Sequence, residues 1–356
     1  MIPPGALAGL KVIDMASLYA APLAATIMAD FGATVLKIEP PEGDPFRGSK
    51  MWPIVARGKN CLALDLRTAG GIERFKALVA QADVVVENYP AAVLEKRGIG
   101  WNVLSAINPR LVMLSVSCFG ATGPYRDRPG SGTIGEGFGG LTELMGQSDG
   151  PPMLPSVALG DAVGAMGAVI GTLSALYWRE RSGRGQQVDA SLYEPILQIV
   201  AHAAQRWTPG QSPERCGSRL PGVLRNIYRT ADDRHVAISA STVRHTADLI
   251  RLAGGAGDDQ DARVAAWTAT VPHAALIEAL VAARIPVTPV NSIDDLLADA
   301  HVQERGSLIH VASEVLGDLA LAAPTPRLSA TPGRMGEVNP PLGADVDAAL
   351  ARWNAG

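Results

Sequence analysis

The sequence predicts an α/β protein: a doubly wound, parallel-sheet large domain joined to a smaller α+β domain. Three observations point there. The first third of the chain alternates short aliphatic runs with helical stretches at βαβ spacing. The run Leu111-Val-Met-Leu-Ser-Val-Ser117 is apolar on both faces, as a strand covered by helices on either side must be. A stretch rich in Gly, Pro, Ser and Arg, 209–222, then marks a linker, after which the pattern changes to a hairpin followed by helices.

Taken in order, Leu10 to Met15 fits a short strand. Tyr19 to Phe31 fits a helix, with Pro22 in its first turn and Gly32 at its end. Thr34 to Glu39 is a second strand, closing one βαβ unit. The outline repeats: strand Cys61 to Leu66, helix Ala69 to Ala82, strand Asp83 to Glu87, helix from Ala91 to Arg97, strand Leu111 to Ser117. No G-x-G-x-x-G follows the first strand, so this Rossmann-like pattern lacks the mark of a dinucleotide site, and no NAD is expected. From Cys118 to Gly140 the chain is rich in glycine. Such a stretch after the end of a strand suits a ligand-facing loop, or else plain surface. Beyond a basic turn come strand Gln187 to Ala190 and helix Tyr193 to Gln205.

In the smaller domain, Asn226 to Arg229 and Val236 to Ser239 bracket a turn at Ala231 to Asp233, which makes a hairpin. Helices at Thr242 to Ala253 and Ala274 to Ala283 follow, and a short run Val287 to Val290 then leads to Ile293 to Ala298. A proline-rich return, Pro324 to Pro332, precedes a terminal helix, Asp345 to Trp353. The large domain is therefore expected to comprise 1–208 and 311–356, with 225–310 as the small one.

Composition narrows the function. Of 356 residues, 47% are hydrophobic and 19% charged, enough for substantial cores, and a net charge of −4 gives no reason to expect nucleic acid. Cys61, Cys118 and Cys216 lie far apart and form neither a disulfide framework nor a metal spacing. All six histidines lie at or beyond His202, and no two share a helix turn as ligands would, so no metal is expected. The N-terminus shows no basic region with an apolar run, which suits a cytoplasmic protein.

The stretch Ser156 to Trp178 is small or apolar almost throughout and carries one charge, Asp161. From Ala162 it fits a buried helix in which Gly164, Gly167 and Gly171 would let another backbone approach. Its glycines and the neighbouring charge make it a poor membrane span. With Gly160 as a turn, Asp161 falls near the N-cap. It is either a plain cap, since Asp is a favoured one, or a carboxylate with chemistry to do.

Several segments in fixed order resemble the family III CoA-transferases, which also include carnitine CoA-transferase-like proteins and α-methylacyl-CoA racemases. They include Leu36-Lys-Ile-Glu-Pro-Pro-Glu-Gly-Asp44, Gly58-Lys-Asn60, Ala82-Asp-Val-Val-Val-Glu-Asn-Tyr89, Phe119-Gly-Ala-Thr-Gly-Pro-Tyr125, Val188-Asp-Ala-Ser-Leu-Tyr193 and Arg327-Leu-Ser-Ala-Thr-Pro332. The resemblance runs from about residue 9 to 345. It implies a transferase that moves CoA between an acyl-CoA and a carboxylic acid. It also implies an interlocked homodimer. The family's nucleophilic aspartate falls on Asp161, where a carboxylate can attack a thioester to give an anhydride and then an aspartyl-CoA thioester. The family's CoA contacts fall on Tyr19, Ala20, Leu64, Arg67, Asn88, Tyr89 and Lys96. Arg47 and Arg57 are further cations nearby.

Three positions depart from the family pattern. A cation often found after the second strand is Pro40. The residues before the glycine-rich loop, His-Asp in racemases and often Phe-Asp or Tyr-Glu in transferases, are Ser131-Gly132. The racemases' second acid falls on Thr242. Racemisation needs a base on each face of the α-carbon, so these losses argue against it. The alternatives are a racemase-like enzyme or a CoA-binding protein without turnover.

Overall fold

The structure is a computed structural model describing residues 4–255, 258–343, 351 and 353. In chain order its elements begin with β1 (Lys11–Asp14), α1 (Ala20–Asp30), β2 (Thr34–Glu39), α2 (Trp52–Ala56), β3 (Asn60–Ala63), α3 (Ala69–Val79), β4 (Val84–Glu87), α4 (Ala91–Lys96), α5 (Trp101–Ile107) and β5 (Val112–Ser117). They continue with α6 (Gly132–Phe138), α7 (Leu141–Leu144), α8 (Leu159–Ser182), β6 (Gln187–Ser191) and α9 (Glu194–Ala204). Next come β7 (Leu224–Arg229), β8 (His235–Ala240), α10 (Val243–Leu252), α11 (Gln260–Thr268), α12 (His273–Ala282), β9 (Val287–Pro289), α13 (Ile293–Ala298) and α14 (Ala300–Arg305). The last are β10 (Leu308–Ser313), β11 (Gly317–Ala322) and β12 (Leu342–Gly343).

The chain divides into two units, one of 1–142, 154–206 and 306–356, the other of 143–153 and 207–305. The second unit begins earlier than residue 225 and takes in 143–153 because Arg215 binds that segment. Its guanidinium donates to the Glu143 carboxylate at 2.7 Å and to the Gly150 carbonyl at 3.2 Å. The expected terminal helix lies largely outside the described residues, except that Trp353 is buried in the core of the first unit.

The first unit holds a seven-stranded sheet in the order β12-β3-β2-β1-β4-β5-β6, with every paired strand parallel. Side chains alternate across it. Val12, Val35, Val84, Val112 and Leu114 pack with α1 and with Ala165, Ala168 and Leu176 of α8. Ile13, Leu36, Leu62, Val85 and Met113 pack on the other face with Phe75 and Leu78 of α3 and Leu104 of α5. This two-sided burial is what the apolar runs require. In the second unit, β7, β8 and β9 form an antiparallel sheet whose Tyr228, Val236 and Ile238 pack with Leu249, Val264, Leu276 and Leu280.

Charges are buried where β1, β2 and the chain before β3 meet. Lys59 Nζ donates to Asp14 at 2.7 Å and to the carbonyls of Pro22 and Val55. Lys37 Nζ donates to the Ala16 carbonyl at 2.9 Å and pairs with Asp44 at 3.2 Å. Burial alone would push Asp14 up, but Lys37 and Lys59 outweigh it and hold its carboxyl below the ordinary range. Burial pushes Lys59 down to about 8 against the pull of Asp14.

At the end of β4, burial pushes Glu87 up to about 7, although its carboxylate accepts the Tyr89 N–H at 2.8 Å. A carboxyl with a raised folded value contributes fully below its unfolded value and loses that contribution as pH rises through the folded one. Stability should therefore fall between about pH 4.5 and 7, by at most about 3 kcal/mol from this group. Glu87→Gln keeps an acceptor for Tyr89 and should shrink the difference in urea midpoint between pH 5 and pH 8.

Candidate active site

The strand order places β1 between β2 and β4, so the chain winds outward in opposite directions from the β1/β4 pair. In open parallel sheets the crevice at that switch point, beyond the strands' carboxyl ends, is where ligands bind. Here the two loops at the crevice are stitched together. Asn88 accepts the Ser17 N–H at 3.0 Å and donates to the Ser17 carbonyl at 2.8 Å. Lys37 holds Ala16 from below. Leu18, next in the chain, has φ of 65°, in the left-handed region that costs a branched side chain, and its side chain is exposed.

Asp161 sits in the first turn of α8, which begins at Leu159. The helix thus starts before Ala162, Gly160 is helical, and the N-cap is Ala158, which has no side-chain cap. Asp161 is therefore not the cap. Another carboxylate serves the helix start: Glu136 of α6, 1% exposed, accepts the Gly160 N–H at 2.7 Å. In return the Gly132 N–H, at the start of α6, serves the Asp161 carboxylate. The two backbones approach so closely that a Cβ on Gly132 would fall on the Asp161 carboxylate and backbone N. A Cβ on Gly160 would fall on the Gly132 carbonyl. The other helix glycines face side chains instead of a backbone: Gly164 meets Leu192, Gly167 meets Pro195 and Gly171 meets Val188.

Burial raises the Asp161 carboxyl above the ordinary carboxylate range, the Gly132 N–H opposes this, and Glu136 adds to it as a like charge. Tyr19 and Cys118 also feel Asp161. Burial first, and then the Asp161 charge, raises both.

The remaining sequence-predicted contacts part company. A cleft over the ends of β2, β3 and β4 is lined by Glu39, Pro40, Leu64, Arg67, Tyr89 and Arg97, among others. Leu64, Arg67 and Tyr89 thus share one site. Arg67 already pairs with Asp65 at 2.7 Å. Lys96 is exposed on α4 and does not line this cleft. Its neighbour Arg97 does, with its guanidinium 5.6 Å from the Tyr89 ring centroid. Asn88 is committed to Ser17, and Ala20 is buried among the residues of the α1 core. Of the other cations, Arg47 grips Glu39 with two bonds of 2.6 Å, and Arg57 holds Asp30 at 2.7 Å. Thr242 caps α10 by accepting the His245 N–H. The described residues contain no cluster of metal-ligating side chains.

The sequence model of CoA-transferase family III matches residues 7–346. The chain belongs to that family. Among curated relatives, the succinyl-CoA–D-citramalate CoA-transferase of Chloroflexus aurantiacus is 37% identical, with 96% of this chain and 92% of that protein covered. The beta subunit of the same organism's succinyl-CoA–L-malate CoA-transferase is also 37% identical, covering 97% and 93%. Among solved structures, a CaiB/BaiF family protein from Brucella suis superposes with a TM-score of 0.85 at 30% identity, covering 99% of this chain and all of that one.

For a family III member, the glycine-rich stretch after β5 is more ordered than its composition suggests. Seven of its residues form α6, and Phe119, Tyr125, Phe138 and Tyr193 make edge-to-face or tilted ring contacts beside it. Two residues that the sequence did not single out stand at these places: Glu136 beside the start of α8 and Arg97 in the cleft. Glu136 left a signal, as the sole charge between Ser131 and Gly140. Arg97→Ala should weaken CoA binding about tenfold by calorimetry, through loss of a charge-assisted contact, while Lys96→Ala should change it less than about twofold.

Proposed function

We propose that this protein moves CoA from succinyl-CoA to a small hydroxy- or unsaturated dicarboxylic acid, with Asp161 as the nucleophile. The observation that carries the reading is a half-buried carboxylate in the first turn of α8, packed against the Gly132 backbone, in a chain of this family. The donor follows from the relatives' names, which share succinyl-CoA and differ in the acceptor acid: citramalate, malate and, in a Haloarcula hispanica relative 34% identical, mesaconate.

The chemistry needs a carboxylate that attacks. The Asp161 carboxylate adds to the thioester carbonyl, the C–S bond breaks, and an acyl-aspartyl anhydride and CoA thiolate result. The thiolate attacks the aspartyl carbonyl of the anhydride, expels the donor acid and leaves an aspartyl-CoA thioester. The acceptor carboxylate attacks that thioester, giving a second anhydride and thiolate. Attack by the thiolate on the acceptor carbonyl releases the new acyl-CoA and restores Asp161. Each step exchanges one leaving group for another with no net proton or electron change.

The departures bear on the alternatives. An acid at position 132 would need room that Asp161 occupies, and Thr242 is engaged as a helix cap. Neither position supplies the second base that a racemase requires.

Incubation with succinyl-CoA and malate, citramalate or mesaconate should yield new thioesters by mass spectrometry. Asp161→Asn should abolish them, by at least about a thousandfold, and leave CoA affinity within about twofold. Full transfer by that variant would sink the mechanism.

The protein is further proposed to work as an interlocked homodimer. On α8, Met166, Ile170, Tyr177 and Trp178 are exposed, an apolar face that a soluble monomer seldom presents. Analytical ultracentrifugation at micromolar concentration should give twice the chain mass, and a single-chain mass would refute the dimer.

A further inference from the structure

We propose that Glu136 is the positioning residue for the nucleophile: its buried carboxylate fixes the Gly160–Asp161 backbone and stands beside Asp161 as a second acid. The inference rests on the reading of Asp161 as nucleophile.

The geometry is reciprocal. Glu136 reaches from α6 to the N–H of the residue before Asp161, at 2.7 Å, and Gly132 at the start of α6 packs so closely on Asp161 that a Cβ there would meet its carboxylate. Ala158 offers no side-chain acceptor, so without Glu136 the Gly160 N–H is left buried beside the Gly132 backbone. An unsatisfied buried donor is costly, and the helix start would shift to find a partner. The crossing at Gly132 and Gly160 has no space for such a shift. Small displacements of a reacting atom lower rates steeply.

Positioning alone does not require an acid. A glutamine would satisfy the same N–H without placing a second carboxylate near Asp161, an arrangement that repulsion disfavours. The acid adds a charge-assisted bond, which is shorter and stronger than a neutral one. It also makes the Asp161 carboxylate more basic, hence more reactive toward a carbonyl. Glu136 does not attack in its place, since it is 1% exposed and one oxygen is taken. The other titratable groups facing Asp161 are Tyr19 and Cys118, and burial favours the neutral form of both. A change in the acid limb on altering Glu136 is thus assignable to Glu136.

The test compares Glu136→Ala, Glu136→Gln and Asp161→Asn in the succinyl-CoA exchange assay, with thermal melts to confirm folding. Glu136→Ala should lower kcat at least about tenfold and change KM for succinyl-CoA less than about twofold. Glu136→Gln, whose amide oxygen can accept the Gly160 N–H, should recover most of kcat and move the acid limb of kcat/KM to lower pH. Wild-type kcat in Glu136→Ala would overturn the inference. So would a Glu136→Gln enzyme as slow as the alanine variant with an unmoved limb. If Asp161→Asn is dead while Glu136→Ala is fully active, only the positioning role falls. If Asp161→Asn is fully active, the nucleophile reading falls and the inference with it.

Discussion

At Gly132 and Gly160 two backbones meet with no room for a Cβ on either, and the geometry around Asp161 follows from that crossing. Because α6 and the head of α8 touch there, each can satisfy the other's unpaired N–H groups with a carboxylate. A helix start normally relies on a side chain just before it. Here Ala158 stands in that place, and the acceptor comes from another helix altogether. The aspartate, relieved of capping duty, is left with its carboxylate turned to a backbone donor in a half-buried setting.

That arrangement explains what was legible in the sequence and what was not. The sheet strands were readable because burial on both faces leaves unbroken runs such as Val84-Val-Val86, and the Val112–Ser117 run is nearly as plain. Asp161 was readable as a lone charge in an apolar stretch. Its place in the helix was not, because the usual cap rule assumes a local acceptor. α6 was hidden by four glycines in and beside it, each with poor helix propensity, and it is held by contacts that composition does not reveal. The resemblance implies Lys96, but Lys96 and Arg97 are about 100° of helix rotation apart, and it is Arg97 that lines the cleft. The family resemblance implies a CoA contact at Asn88, and in the structure both ends of its amide bond Ser17, a tie that sequence alone does not show. The hairpin β10–β11 went unseen because only Leu319 and Leu321 of its residues are buried, too weak an alternation to stand out.

The crevice above β1 and β4 shows a second economy of this kind. Parallel strands end in loops that are free to vary, and a binding surface there needs stiffening. Asn88 ties Ser17 across the switch point, and Lys37 ties Ala16 to the layer below, where Asp14, Lys59 and Asp44 complete a buried charge group. Removing one member of such a group strands the others away from water, which is far costlier than never having built it. The loop that precedes Tyr19 is therefore anchored from beneath.

The outer edge of the sheet is closed by β12, which pairs with β3 as Leu342 opposite Cys61 and Gly343 opposite Leu62. The return is anchored on the way: Arg334 N–H to the Asp30 carbonyl at 2.7 Å, Gly58 N–H to Glu337 at 2.8 Å, and Arg47 to the Pro340 carbonyl at 3.0 Å. Strands from opposite ends of the chain thus complete a single layer. β12 lies far along the chain from β3, so the early strands are made well before that edge is covered. Until then β3 presents unpaired peptide groups, the kind of open border at which chains stick to one another. The β12–β3 pair joins strands far apart in the sequence, so forming it carries a large loop-closure cost.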